Sequence, residues 1–342
     1  MTSKSTTTIQ EENWNLPSNF DLFSTHEIRK IYLPKTSSSL QSSSNNSYDS
    51  STSSMSYFNI ECIEPSSPLD ILNTSISDME KYDATGHCVW TGAFLLIDCM
   101  NLILDIIDTH LISQSHYDDN DYHSCRSQNL KMIELGCGTG IGGLALMIAS
   151  TRQESHSKPQ MKKIHTISKC YFTDTDPDVL KVCKRNCKLN DLVEGKSYDI
   201  HELTWGIIED NKQNMYIQDK KFDIILATDV LYDIDLLPPL FTTVCNLLSN
   251  NNNNNETSEN NKNIGGIFIL SHIPRACYND NNPPEAIENL EQYIIDQGKK
   301  KYGLELIDLV RPIKSSASSS NGITSFPDSS AIFIFCQSSN NS

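Results

Sequence analysis

No two of the eleven cysteines form a C-x-x-C pair, and Cys183 and Cys187, the nearest couple on one expected helix face, lack a His or Asp spaced to complete a zinc site. No metal centre is expected. Cationic residues are scarce too: 27 Lys plus Arg stand against 43 Asp plus Glu, a formal charge of −16. Such a chain is repelled by nucleic-acid phosphates, so no direct nucleic-acid contact is expected and a basic partner complements it. Long apolar runs are missing. The longest, Phe94–Ile107, is interrupted by Asp98 and Asp105 and is too short to span a bilayer, so no membrane association is expected. Residues Met1–Gln10 lack the apolar core of a secretory signal, which points to the reducing nucleus or cytoplasm and to free, buried thiols. No internal repeat is visible, and the chain is expected to act as a monomer.

Several stretches have too few apolar residues to build a core: Thr36–Ser56, Ser113–Gln128, Arg152–Lys163, Asn250–Asn263 and Ser315–Ser320. They fall between periodic segments and read as disordered surface connections, which cost little in closure entropy. Residues 1–81 read as a partly disordered N-terminal extension. Residues 82–342 read as one domain with low-complexity inserts near 113–128, 152–163, 249–263 and 313–330. With the inserts set aside, seven short apolar runs emerge as strands: Lys131–Leu135, Lys169–Thr173, Ser197–Leu203, Phe222–Thr228, Gly266–Ser271, Leu304–Val310 and Ala331–Cys336. They alternate with expected helices at Ala93–Ile107, Ile141–Ser150, Pro177–Leu189, Leu236–Ser249 and Pro284–Lys300, the pattern of an α/β protein with a largely parallel sheet. The third helix opens with Asp176 as N-cap and Pro177 in its first turn. In the extension, Phe20–Leu33 and Tyr57–Ile63 are candidate extra strands.

The chemistry concentrates where strands end. Lys131–Leu135 runs into Glu134-Leu135-Gly136-Cys137-Gly138-Thr139-Gly140, an acid followed by alternating glycines and then a helix. Glycines let a ligand approach the backbone at the carboxyl end of a strand, where open α/β sheets bind nucleotides. Gly138, Gly140 and Gly143 also satisfy the dinucleotide pattern G-x-G-x-x-G, but Glu134 would repel a pyrophosphate and suits the cationic amino group and sulfonium of S-adenosyl-L-methionine. The next strand ends at Asp174, a carboxylate placed to accept ribose hydroxyls, with helix capping left to Asp176. The strand Phe222–Thr228 is followed by Asp229 and Tyr232 at the same edge; a capping aspartate and a packing tyrosine are the plainer alternative. Trp90 and Trp205 each sit beside an element of the crevice, where an aromatic face can flank an adenine or attract a cation, although core packing is the default for a tryptophan.

Taken together, these residues resemble family 16 of the seven-β-strand protein methyltransferases, a group that includes several lysine methyltransferases. The family's GxxxWxxA motif is matched by Gly86–Ala93, its glycine loop by Glu134–Gly140, its acidic second-strand end by Thr173-Asp174, its L-x-W by Leu203–Trp205, and its [D/E]xxY by Asp229–Tyr232. Val89–Leu96, Phe172–Asp174 and Val182–Asn186 are most similar to one branch of that family. The resemblance covers Tyr82–Val310. It implies a seven-stranded Rossmann-like class I methyltransferase sheet with helices on both faces and long disordered loop inserts, and S-adenosyl-L-methionine as cofactor. It also implies methyl transfer to a lysine of a basic protein substrate. Trp90, Gly136, Cys137, Gly138, Asp174, Trp205 and Thr228 would line the cofactor site, joined by Glu134 and Gly140, while Asp229 and Tyr232 would face the acceptor. Nothing in the residues distinguishes a lysine from a histidine or small-molecule acceptor, and a non-catalytic cofactor-binding scaffold is the reading from a different class.

Excision of Asn250–Asn261, which contains no apolar side chain, should leave the thermal melting midpoint unchanged. A fall of several degrees, the size that a loss of more than about 1 kcal/mol produces, would show that the tract is packed.

Overall fold

The computed structural model describes residues 26–34, 56–63, 84–114, 128–152, 165–206, 215–218, 220–249, 265–274, 283–312, 321 and 325–338. Apart from their end residues, the connections expected to be disordered lie outside these. Strands β1 (His26–Tyr32) and β2 (Tyr57–Ile63) precede a 3-10 turn at Ala84–His87 and helices α1 (Thr91–Asp98) and α2 (Met100–Gln114). Then come β3 (Gln128–Leu135), α3 (Ile141–Arg152), β4 (His165–Asp174), α4 (Pro177–Leu189) and β5 (Tyr198–Glu202). They are followed by the single turn α5 (Met215–Gln218), β6 (Ile224–Thr228), α6 (Leu237–Leu247), β7 (Ile267–His272), α7 (Pro284–Glu288), α8 (Leu290–Tyr302), β8 (Leu304–Val310) and β9 (Ala331–Gln337).

Strands β3 to β9 form one seven-stranded sheet in the order β5-β4-β3-β6-β7-β9-β8, with β9 antiparallel to both neighbours and the other pairings parallel. The expected Rossmann-like α/β sheet is present, with all seven strands where the apolar runs stand. Chain order runs outward from β3 to β5 on one side and from β6 to β7 on the other. The β3/β6 junction is therefore the topological switch point, where a crevice opens beyond the carboxyl ends of the strands.

Both faces of this sheet are covered, which is why its central strands are apolar at every position rather than at every second one. Met132, Phe172, Leu226, Ile269 and Ile334 pack with α1 to α4 on one face. Their strand neighbours Ile133, Tyr171, Ile225, Phe268 and Phe335 pack with α6 and α8 on the other. β1 and β2 pair antiparallel as a separate two-stranded sheet, and their Ile31, Phe58, Ile60 and Cys62 join the first of these cores. The extension thus contributes packed structure to the domain it precedes.

Helix boundaries depart from the sequence expectation where local geometry intervenes. Ala93–Ile107 was expected as one helix, but Cys99 has ψ 5 and splits it into α1 and α2. The Pro284–Lys300 helix breaks at Asn289, whose side chain accepts from Gln292 N and so caps a fresh helix, α8. Helix α4 begins as expected, with Asp176 accepting from Asp178 N and Pro177 in the first turn. Among the described residues no helix is long and apolar enough to cross a membrane, and no group of three or more His, Cys, Asp or Glu side chains is disposed to hold a metal ion.

Phe241 of α6 sits fully buried, edge-on to Phe268, Tyr302 and Phe335. Phe241→Ala should cost about 3–5 kcal/mol, read as a lower urea midpoint at unchanged slope. A loss below about 1 kcal/mol would mean that this aromatic cluster does not hold α6 to the sheet.

Candidate active site

Leaving β3, the chain turns through three left-handed glycines: Gly136 at φ 65, Gly138 at φ 53 and Gly140 at φ 79. A side chain is strained at all three by backbone sterics, and at Gly136 and Gly140 it would also collide with a neighbour. An added Cβ would lie 2.9 Å from Val230 Cγ1 at Gly136, 3.1 Å from the Gly86 carbonyl oxygen at Gly138, and 2.6 Å from Cys183 Sγ at Gly140. The loop is pinned to the neighbouring strand, since Cys137 N donates to the Thr173 carbonyl at 2.8 Å. The Cys137 thiol is buried, and burial pushes it up to about 12, so it is an inert packing group.

Glu134 differs from the sequence expectation. Its side chain shares a sheet face with Met132 and is fully buried behind the loop, so its carboxyl is not presented to the crevice. Oε2 accepts from Gly143 N at 3.0 Å, and Oε1 lies 3.4 Å from Thr228 Oγ1. Gly142 and Gly143 are glycines because a Cβ at either would come within 2.5 and 2.7 Å of the Glu134 carboxyl oxygens. Burial raises its pKa to about 8, against the lowering effect of the Gly143 and Thr228 hydrogen bonds. Glu134 thereby links β3 to the start of α3 and to the end of β6 from behind the glycine loop.

The acid exposed to the crevice is Asp174 at the tip of β4. Oδ2 accepts from Gly138 N at 3.0 Å and Oδ1 from Asp176 N at 3.2 Å, and burial raises its pKa despite these bonds. Trp205, after β5, is half-buried, with its ring 3.1 Å from where a Gly136 Cβ would stand. Trp90, also half-buried, donates from Nε1 to the Thr85 carbonyl at 2.9 Å and packs against Ile63 and Cys88. The structure therefore brings Gly136, Gly138, Gly140, Asp174 and Trp205 around the mouth of β3 and β4, with Trp90 at the start of α1.

Across the switch point, Thr228 closes β6 and Asp229 follows in a left-handed conformation at φ 58, which costs a non-glycine residue about 1 kcal/mol or more. Two hydrogen bonds hold it, and a third joins its two partners. Asp229 N donates to the Ser271 carbonyl at 2.8 Å, Gly92 N donates to Asp229 Oδ2 at 3.0 Å, and Ser271 Oγ donates to the Gly92 carbonyl at 2.6 Å. Asp229 is 4% exposed and Tyr232 51% exposed, so the acid sits at the base of this edge and the ring at its rim. Sequence reasoning missed Gly92, Ser271 and Gly143. The glycines lay inside recognised motifs, whereas Ser271 gave no signal beyond ending an apolar strand.

The model of the family described as "Lysine methyltransferase" matches residues 72–269, more than half of the chain. Methyltransferase-like protein 22 of Mus musculus is 25% identical over 264 residues, covering 72% of this chain and 56% of its own. The Homo sapiens protein of that name is 26% identical over 262 residues, covering 72% and 54%. The chain thus spans about half the length of the curated relatives it matches. Among solved structures, magnesium protoporphyrin IX methyltransferase from Synechocystis PCC 6803 is 13% identical, with TM-score 0.37 over 80% of this chain and 92% of that one. A putative methyltransferase from Streptococcus mutans is 11% identical, with TM-score 0.41 over 82% and 53%.

A carboxyl whose folded pKa stands above its unfolded value keeps a proton on folding, so its contribution to stability is present below the unfolded value near 4.5 and is lost as pH rises toward 8. Glu134→Gln, which mimics the neutral acid, should lack this loss. The stability of the variant relative to wild type should therefore grow from about pH 5 to pH 8 and then level off in urea melts. A difference constant over that range would mean that Glu134 is ionised when buried.

Proposed function

The chain belongs to the lysine methyltransferase family, and from that premise we propose that it transfers the methyl group of S-adenosyl-L-methionine to a lysine side chain of a basic protein. One observation carries this reading. The left-handed glycine loop and Asp174 form a side-chain-free cradle with a carboxylate at the carboxyl ends of β3 and β4, and the buried Asp229 and exposed Tyr232 stand directly across the switch point.

The residues present fit the cofactor. Gly136 and Gly138 offer backbone without side chains, Asp174 offers carboxylate oxygens of the kind that accept ribose hydroxyls, and the Trp205 ring beside Gly136 offers a flat apolar wall. When bound, S-adenosyl-L-methionine supplies an electrophilic methyl on a sulfonium. The protein's task is then to hold an attacking nitrogen in line with that methyl. A lysine of ordinary pKa near 10.4 is neutral in fewer than about one molecule in a thousand at pH 7, so the site must favour loss of its proton. Desolvation beside a cationic group pushes in that direction. Asp229, fixed by Gly92 and Ser271, orients the amine, and Tyr232 offers its ring face or hydroxyl at the rim. The formal charge of −16 supports a basic acceptor. A histidine acceptor would use the same positioning, and the identity of the labelled residue decides between them.

The test is incubation of the purified chain with labelled S-adenosyl-L-methionine and an extract lacking the enzyme, followed by identification of the labelled residue. A labelled lysine is expected; a labelled histidine, or no labelled protein, would overturn the acceptor assignment. Asp174→Ala should weaken S-adenosylhomocysteine by about 1.5–3 kcal/mol in titration calorimetry, the value of a hydrogen bond to a charged group. Asp229→Asn keeps an acceptor for Gly92 N but removes the charge. It should lower turnover by roughly 10²-fold with cofactor affinity nearly unchanged. Full turnover in Asp229→Asn and Tyr232→Phe alike would remove both residues from the acceptor side.

A further inference from the structure

Strands β1 and β2 lie outside residues 72–269, the stretch matched by the family, yet β2 is linked to the glycine loop through one side chain. The link is Asn186 of α4, which is fully buried. Its Oδ1 accepts from Glu61 N at 2.6 Å, and its Nδ2 donates to the Glu61 carbonyl and to the Thr139 carbonyl, both at 2.9 Å. Both amide hydrogens are spent, one on β2 and one on the loop between Gly138 and Gly140. One turn further along the chain, Asn190 repeats the grip on β2 without reaching the loop: Oδ1 accepts from Asn59 N at 2.9 Å, and Nδ2 donates to the Asn59 carbonyl at 2.7 Å and to the Asn186 carbonyl at 2.8 Å. Two asparagines at helical spacing thus meet alternate residues of a strand edge, standing in for a neighbouring strand. Arg185 adds a two-pronged pair to the Glu61 carboxylate, its Nη2 at 2.8 Å from Oε1 and its Nε at 2.9 Å from Oε2.

A second path runs from the same sheet to the same loop. The end of β2 bridges Ile63 to Cys88, which fixes the segment carrying Gly86 and Trp90. The carbonyl oxygen of Gly86 lies against Gly138, at 3.1 Å from where its Cβ would stand. Gly86 is itself pressed on α4, leaving only 2.5 Å between its own virtual Cβ and Val179 Cγ2. The loop is therefore touched from both sides by groups whose position depends on β2.

We propose that Asn186 is a positioning residue for the cofactor site, coupling the docking of the β1–β2 sheet to the cofactor-ready form of the Gly136–Gly140 loop. This rests on the reading of that loop as the cofactor cradle. Coupling is reciprocal: whatever the docked sheet adds to cofactor affinity, bound cofactor returns to the sheet. A purely structural asparagine would hold the sheet without responding to ligand.

The experiment is hydrogen exchange on the full chain with and without S-adenosylhomocysteine, with calorimetry on wild type, Asn186→Ala and Asn190→Ala. Wild type should bind, and binding should slow exchange at Phe58–Cys62 by about tenfold. Asn186→Ala should weaken binding by about tenfold and lose that slowing, whereas Asn190→Ala, which leaves the Thr139 bond intact, should retain both. Equal losses in the two variants would assign the effect to sheet docking in general and overturn the role of Asn186. If wild type binds and exchange at Phe58–Cys62 does not change, the coupling is wrong and the cradle stands; that result decides even where Asn186→Ala does not fold. Failure of wild type to bind would sink the cradle itself.

Discussion

One buried carboxyl joins the strands and the helix whose ends form the crevice. Glu134 sits behind the glycine loop, accepts from Gly143 N at the start of α3 and lies beside Thr228 at the end of β6. It joins the three elements that meet at the switch point. Three consecutive alternate residues with positive φ are accessible only to glycine at low cost, and glycine brings more unfolded-state freedom than any other residue. A loop so composed needs external restraint. Glu134 provides it from inside, Thr173 Oγ1 bonds the Glu134 carbonyl at 2.7 Å, and Asp174 holds Gly138 N from the crevice side. The two acids flank one loop in different surroundings: Glu134 is fully buried and accepts from Gly143 N, and Asp174 is partly exposed and accepts from Gly138 N.

The sheet was legible because its strands are buried on both faces. An apolar run of five to seven residues bounded by polar segments has few other uses in an α/β chain, and Ile224–Thr228 and Ala331–Gln337 are such runs. The break at Cys99 was not legible, since Gly92–Ile97 are all buried and no polar face marks where the helix must turn. Asn289 was readable in principle, as a capping residue inside an otherwise helical stretch. The positions of Glu134 and Asp174 at strand ends followed from the motifs, but the inward direction of Glu134 did not. Strand parity held the signal, because Glu134 shares a face with Met132 and that face lies under helices.

The extension taught the opposite lesson. Its strands were readable as apolar patches, and β2 matches Tyr57–Ile63 end to end. What the patches do was unreadable, because the residues that receive them, Asn186, Asn190 and Asn321, look like ordinary surface amides until their partners are known. Asn321 bonds both N and O of Tyr32, at 2.8 and 3.0 Å, closing the far edge of the small sheet. Side-chain amides thus cover strand edges that would otherwise offer a template for pairing with another chain.

The order of the large sheet also constrains how the chain is made. Because β9 lies between β7 and β8 and is antiparallel to both, β7 has no partner on that side until residues 331–337 have been synthesised. During translation the crevice elements β3, β4 and β6 can assemble early, while an all-buried strand, Ile267–His272, waits with an open apolar edge. Such an edge is the species that aggregates or recruits chaperones. Of the seven strands of this sheet, the last to be made is therefore the one that seals it, and a nascent chain arrested before it would carry a nearly complete site on an unfinished fold.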